Sequence, residues 1–255
     1  MLAHSPPLPL VIDYYEDDEN INITAEDEEA IILALEQRDR VRRIRFCVPV
    51  QNMQNFIRAL DGEYPLLEYL ILASPNWDPR KDMGRVLALP EALATPHLRH
   101  LFTDYSIIHP IRSQLRTIAV GLVVLHLQVT SNLPFNSSYF RPTVLHQWLP
   151  LMPQLKILRI FLNFPSARQS DAERHPMTPV TLPNLRFFAL RGVSAYSEEV
   201  LSRITAPRLA SRFSEFPTST HARRFPFQSS CSSWGEQKTS GSTVPVSSFT
   251  ASEFS

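Results

Sequence analysis

Apolar residues recur along the chain in short clusters with a common internal spacing. Each cluster has an apolar residue, two variable residues and a second apolar residue, and a Pro-x pair often precedes it. The spacing between clusters runs from about 24 to about 33 residues, which overlaps the leucine-rich-repeat range. The six clusters are Val41 to Phe46, Pro65 to Leu72, Pro96 to Leu101, Leu122 to Leu127, Pro153 to Ile160 and Pro183 to Leu190, with a partial seventh at Pro207 to Leu209.

This LxxLxL spacing predicts short strands whose alternate apolar residues point into a shared interior. Parallel neighbours need a crossover, and the segments between clusters have helical apolar spacing that can provide it. These helices are predicted at Asn52 to Leu60, Thr143 to Leu151 and Ser197 to Ile204, with a further one beginning at Thr24. The predicted fold class is α/β: a short irregular leucine-rich-repeat-like solenoid with parallel strands and a disordered C-terminal tail.

A generic α/β sheet remains the alternative to a solenoid. The asparagine that follows the strand in the LxxLxLxxN template is mostly absent, and Ser74, Tyr105 and Asn163 stand near the corresponding positions. The irregular spacing and the missing asparagine indicate degenerate repeats.

Three segments of different composition predict the domain organisation. Residues 1–23 are rich in proline and then acidic, and we expect a flexible N-terminal segment. Residues 24–209 hold the repeats. Residues 210–255 are dominated by Ser, Thr, Phe, Pro and Arg without periodicity, which predicts a disordered tail. A shifted reading frame across Cys231 to Ala251 can encode the Asn-Leu-x-Phe rhythm of another repeat. We therefore hypothesise a frameshift, or a misplaced intron boundary, close to Leu209.

Composition narrows the classes of function. The formal net charge is zero, which gives no whole-protein attraction to nucleic acid or anionic membrane. Glycine is scarce, with 6 residues, and no GxGxxG or GxxxxGK[ST] motif is present. No apolar run approaches the roughly 20 residues of a membrane span, and no signal peptide is recognisable at the start. We therefore expect an intracellular protein, cytoplasmic or nuclear, without a membrane partner.

The sequence predicts no catalytic residues, no metal site and no cofactor. His97 and His100 have metal-ligand spacing on a helix, but a turn and strand would point them in opposite directions. Asp104 with His100 or His109 could be assembled into a triad, yet neither a GxSxG elbow nor a cysteine signature accompanies them. The acidic runs before residue 30 lack the spacing of a calcium loop.

The densest basic patch lies around the first cluster. It consists of Arg38, Arg40, Arg42, Arg43 and Arg45. Nucleic acid binding would place such charge beside exposed aromatic residues. We favour a different interpretation, in which the arginines protect an early, partly exposed strand from edge pairing. Nucleic acid is therefore not the expected partner.

The concave face of the predicted solenoid is the candidate protein-binding site. Its outward positions are rich in aromatic residues and arginine, the types enriched at interface hot spots. The candidate residues are Arg43, Arg45, Tyr69, His100, Phe102, His126, Arg159, Phe187 and Arg191. Ile71, Val124 and Ile157 share these outward positions. In the alternative interpretation, the apolar members and Phe187 pack under flanking loops instead.

Several segments resemble a group of fungal F-box proteins. They are Pro7 to Leu35 with Val41 to Phe46, Tyr64 to Leu70, Ala94 to Leu101, Met152 to Leu155, and Met177 to Arg186 with Gly192 to Tyr196. The resemblance covers roughly residues 5 to 209. It implies a leucine-rich-repeat-like region that recruits target proteins to a cullin-type ubiquitin ligase. No F-box is recognisable before Leu10, so we expect target recognition without docking to the ligase adaptor.

The expected function is thus non-catalytic recognition of an unknown target protein. Two alternatives from other classes stay open at this point. One is a truncated and frameshifted remnant with no defined function. The other is a nucleic-acid-binding repeat protein that uses the arginine-rich strand.

Overall fold

The computed structural model shows an α/β protein built on one parallel sheet. The structure describes residues 8–15, 23–74, 89–104, 119–130, 142–163, 179–191 and 194–215. Eight strands form the sheet, each parallel to its neighbours, in the order β1-β2-β3-β4-β5-β6-β8-β10. They are β1 (Leu10–Tyr15), β2 (Val41–Cys47), β3 (Tyr69–Ala73), β4 (His100–Asp104), β5 (Val124–Thr130), β6 (Ile157–Asn163), β8 (Phe187–Arg191) and β10 (Ser211–Glu215). The short strands β7 (Val180–Thr181) and β9 (Ile204–Thr205) pair with each other in parallel.

Six of the strands, β2 to β6 and β8, coincide with the six apolar clusters, and the prediction of parallel neighbouring strands is confirmed. Ile44, Leu70, Leu101, Leu125, Leu158 and Phe188 stand opposite one another in consecutive strands, and each is at most 2% exposed. This ladder is continuous because the same position of each cluster occupies the same register. Burial of these side chains supplies the main driving force for the fold.

Helices cover one face of the sheet. In the described part of the chain they are α1 (Ala25–Glu36), α2 (Val50–Ala59), α3 (Pro142–Trp148) and α4 (Ser194–Arg203), and short 3-10 turns lie at Ala119–Gly121 and Leu149–Leu151. Ile31, Met53, Phe56, Trp148 and Val200 are buried in the same core as the inward strand residues. The predicted helices are confirmed, with boundaries shifted by one to three residues.

A tight turn precedes six of the strands. In six units, a backbone N–H donates to the carbonyl three residues earlier. The donor–acceptor pairs are Leu67 to Tyr64, Leu98 to Thr95, Leu122 to Ala119, Leu155 to Met152, Leu185 to Leu182 and Leu209 to Ala206. Proline follows the acceptor in five of these turns, because its fixed φ suits the second position of a turn. The turn therefore sets the same register in unit after unit.

Two predictions about the chain's ends are wrong in part. Residues 10–15 fall in the segment predicted to be flexible, but they form β1 and pair with β2. Residues 211–215 fall in the predicted disordered tail, but they form β10 and pair with β8. Both errors have one physical cause, since an edge strand gains its order from a neighbour that the local composition does not reveal. Residues 216–255 lie outside the described residues, so the rest of the tail prediction stays a prediction.

The N-terminus of α1 carries the predicted side-chain cap. The Thr24 Oγ1 accepts a hydrogen bond from the Asp27 backbone N–H at 3.1 Å and donates one to Asp27 Oδ2 at 2.8 Å. Glu26, Asp27 and Glu28 lie in the first turn, where the helix dipole favours negative charge.

We expect Thr24→Ala to lower the free energy of unfolding by about 1 kcal/mol, because one backbone N–H loses its acceptor. Urea unfolding followed by circular dichroism measures this change. Thr24→Ser keeps the hydroxyl and is the matched control. Equal stability of the Ala and Ser variants would show that the cap contributes nothing.

Candidate functional site

The sheet face opposite the helices, called the outer face below, carries all nine predicted site residues. Three rows of side chains cross it from strand to strand. The first row contains Arg43, Tyr69, His100, Val124, Ile157 and Phe187. The second contains Asp13, Arg45, Ile71, Phe102, His126, Arg159 and Ala189. The third contains Tyr15, Cys47 and Ala73 towards β1, and Phe161 and Arg191 towards β10.

Aromatic and cationic side chains stack along the first row. The Tyr69 and His100 rings lie parallel, with centroids 4.1 Å apart and an interplanar angle of 9°. The Arg43 guanidinium lies 5.8 Å from the centroid of the Tyr69 ring. Because Arg43 and His100 belong to the strands on either side of β3, they cover opposite faces of Tyr69. Arg43, Tyr69 and His100 are half-buried, and burial lowers the pKa of His100.

The second row holds a buried aromatic cluster around His126. The centroid of the His126 ring lies 4.3 Å from that of Phe102, in an edge-to-face arrangement, and 5.1 Å from that of Phe161. His126 is 3% exposed, and neither of its ring nitrogens has a hydrogen-bond partner among the described residues. Burial, assisted by the charge of Arg159, lowers the pKa of His126 to about 3. The imidazole is therefore neutral at physiological pH.

Burial divides the predicted site residues into two groups. His126 and Phe102 are buried, with 3% and 9% of their surfaces exposed, so the prediction that they are available for contact is corrected. The other seven are half-exposed. Of the apolar outward residues, Val124 is buried, whereas Ile71, Ile157 and Phe187 are half-exposed.

Strand β1 adds residues that the sequence reasoning missed. Asp13 forms an ion pair with Arg45, with 3.6 Å between the carboxylate oxygen and the guanidinium nitrogen. The Arg45 guanidinium also lies 5.4 Å from the centroid of the Tyr15 ring. Tyr15 and Ile71 pack against a small buried cluster of Cys47, Ala73 and Phe102. The β-branched and aromatic run from Val11 to Tyr15 was the available signal for a strand. The prolines before it and the acidic residues after it obscured that signal.

A row of residues at the starts of strands β2, β3, β4, β6 and β8 is charged and is called the basic strip below; Val123 occupies the corresponding position at β5. It consists of Arg42, Glu68, Arg99, Lys156 and Arg186. Arg42 forms an ion pair with Glu68 at 3.1 Å. Arg99, Lys156 and Arg186 are exposed. Backbone hydrogen bonds tie the strip together, with the N–H of Arg99 donating to Glu68 O and that of Arg186 donating to Lys156 O.

Protein-family models, curated proteins and solved structures were all compared with the chain. None of them matches it. What the site can bind is therefore inferred from its own side chains.

The described residues show neither a metal cluster nor a membrane-spanning helix. No group of three His, Cys, Asp or Glu side chains among them could hold a metal ion. Within the same residues, no helix is both long and apolar enough to cross a bilayer. His97 is exposed in a turn, whereas His100 is stacked on Tyr69, so the two do not converge. His109 lies outside the described residues, as does the side chain of Asp104.

The outer face combines stacked aromatic rings with guanidinium groups. Stacked rings and guanidinium groups offer broad contact area and directed hydrogen bonds, while their mutual contacts reduce the entropy that would be lost on binding. Arg159 is an example of a guanidinium group held against a ring. It lies 5.1 Å from the Phe187 ring centroid, and burial lowers the pKa of Arg159.

Proposed function

We propose that this chain is a non-catalytic protein-recognition module with a leucine-rich-repeat-like solenoid fold. Repeated turns and a constant strand register support the repeat architecture. Units of this kind bury their apolar residues only against neighbours, and they leave one sheet face open for a partner. The resemblance of residues 5–209 to fungal F-box proteins supports the finer proposal, that the module reads targets of a ubiquitin ligase.

The observation that carries the proposal is the half-exposed group on the outer face. Arg43, Tyr69 and His100 lie side by side, and Arg159 covers Phe187 a few strands away. Tyr and Arg are the residue types most often found at the energetic centre of protein interfaces. The described helices pack on the opposite face, whereas Arg43, Tyr69, His100 and Phe187 on the outer face keep part of their surface exposed for a partner.

We expect the double variant Tyr69→Ala with Arg159→Ala to lose its protein partner without unfolding. Tyr69 and Arg159 lie on the outer face and are only partly buried, so truncating them leaves the inward ladder intact. Loss of hot-spot residues of this type weakens an interface by about 30-fold or more.

Affinity capture with quantitative mass spectrometry, comparing wild type with the variant, identifies proteins that depend on the outer face. Titration calorimetry with the purified partner then measures Kd. Arg58→Ala with Arg203→Ala, both exposed on the helical face, is the matched control. Unchanged partner affinity in the double variant would reject the proposal. Loss of solubility in its place would assign Tyr69 and Arg159 a structural role under flanking segments.

A further inference from the structure

The outer face and the basic strip have a strong excess of positive charge. The basic strip and the first two rows contain seven cations: Arg42, Arg43, Arg45, Arg99, Lys156, Arg159 and Arg186. The same positions contain two carboxylates, Asp13 and Glu68. The whole chain has a formal net charge of zero. The excess is therefore a local property of this surface.

The two carboxylates already have partners on this surface. Glu68 pairs with Arg42, and Asp13 pairs with Arg45. The exposed side chains of Arg99, Lys156 and Arg186 form no ion pair with any described residue. Their exposure lets a bound anion approach these charges.

The orientation of the rings favours carboxylates over stacked bases. Both faces of Tyr69 are covered, by Arg43 and by His100, and one face of Phe187 lies under Arg159. Rings stacked from strand to strand direct their edges away from the sheet. Ring edges carry the positive end of the aromatic quadrupole, whereas binding of single-stranded nucleic acid uses free ring faces.

We propose that the protein partner presents an extended acidic segment that lies across the strands, along the basic strip and the first row. This inference rests on the proposed function and names the chemistry of the target. Cations occur at β2, β4, β6 and β8, and this part of the sheet spans about 24 Å at about 4.8 Å per strand. An extended chain covers that distance with about seven residues.

Fluorescence anisotropy with the full chain tests the proposal. The probe is a labelled peptide of alternating Glu and Thr, about ten residues long, because alternation directs every Glu to one side of an extended chain. The comparison peptide replaces each Glu by Gln. We expect the Glu peptide to bind at least tenfold more tightly, with an affinity that falls as salt is added.

A charge-reversal pair locates the binding. Arg99→Glu with Lys156→Glu should weaken binding of the Glu peptide by at least tenfold, because two exposed cations of the strip become anions. Arg58→Glu with Arg203→Glu makes the same change of net charge on the helical face and should leave binding unchanged. If the Arg99→Glu, Lys156→Glu variant unfolds, the Arg99→Gln, Lys156→Gln variant replaces it, because it removes the same two positive charges without adding negative ones. It should also weaken binding of the Glu peptide.

Three outcomes would overturn the inference. They are equal binding of the Glu and Gln peptides, equal weakening by both charge-reversal pairs, and tighter binding of an oligouridylate that the strip variant also loses. The last would assign the surface to nucleic acid. A different result would separate this inference from the proposed function. If the partner is lost in the Tyr69→Ala, Arg159→Ala variant but its binding does not change with salt or in the Arg99→Glu, Lys156→Glu variant, the acidic segment is rejected. The proposed function then still stands.

Discussion

Replacing His126 by leucine should make the protein markedly more resistant to acid. His126 is buried between Phe102 and Phe161, and its pKa in the folded protein is lowered to about 3 from an ordinary value of 6.5. Above pH 6.5 the imidazole is neutral in both the folded and the unfolded chain. Between pH 6.5 and pH 3 the unfolded chain binds a proton that the folded protein does not, so the free energy of unfolding falls as the pH falls.

The size of this effect follows from the pKa difference. Each pH unit below 6.5 costs the folded state about 1.4 kcal/mol, which reaches about 3 kcal/mol at pH 4.5 and about 5 kcal/mol near pH 3. Leucine has a similar volume and no group to protonate, so His126→Leu should lose about 3 kcal/mol less than wild type between pH 7 and pH 4.5. It should also be more stable at pH 7, because a buried imidazole without hydrogen-bond partners is desolvated without compensation.

Urea unfolding at pH 7 and pH 4.5 measures both effects. His97→Leu, which changes an exposed histidine in a turn, should keep the pH dependence of the wild type. If His126→Leu showed the same acid sensitivity as wild type, the imidazole would be protonated or solvated in the folded protein. The description of the second row would then be wrong.

Replacing Phe46 by alanine should bring the domain close to unfolding. Phe46 is fully buried, and its ring lies 4.8 Å from that of Phe56, which joins β2 to α2. Removing a buried phenylalanine costs about 3–5 kcal/mol, because apolar burial is lost and a cavity remains. The free energy of unfolding of a domain is typically only about 5–15 kcal/mol, so this loss is a large fraction of the total.

Thermal and urea unfolding test this expectation against two controls. Phe46→Leu preserves much of the volume and should cost clearly less than the alanine variant. Leu33→Ala truncates a side chain of α1 that is 55% exposed, and should change the stability by no more than about 0.5 kcal/mol. Equal losses for Phe46→Ala and Leu33→Ala would mean that α2 is not held to β2 by this contact.

The sequence predicted the parts of the fold that depend on local pattern. The spacing of Ile44, Leu70 and Leu101 predicted strands in one register, and the Thr24 cap predicted the start of α1; both are confirmed. β1 and β10 could not be predicted in this way, because the pairing partner of an edge strand lies elsewhere in the chain. The short β7–β9 pair was missed for the same reason.

The candidate site was predicted in position but not in accessibility. Alternation along a strand determines which face a residue occupies, and it placed Arg43, Tyr69 and His126 together on the outer face. Alternation does not determine how tightly neighbours pack, and His126 is enclosed by aromatic rings from adjacent strands. The basic strip was missed because Arg99, Lys156 and Arg186 are far apart in sequence, and only the strand register brings them into line.

The turns at the strand starts allow the connections between units to change in length during evolution. Since the register is set locally at Thr95, Met152 or Leu182, insertions and deletions between units need not displace the strands that follow. Lengthening a connection costs little, since doubling a flexible loop adds only about 0.6 kcal/mol. Related genes could therefore exchange whole connections, and alter what surrounds the outer face, while the scaffold beneath it stays the same.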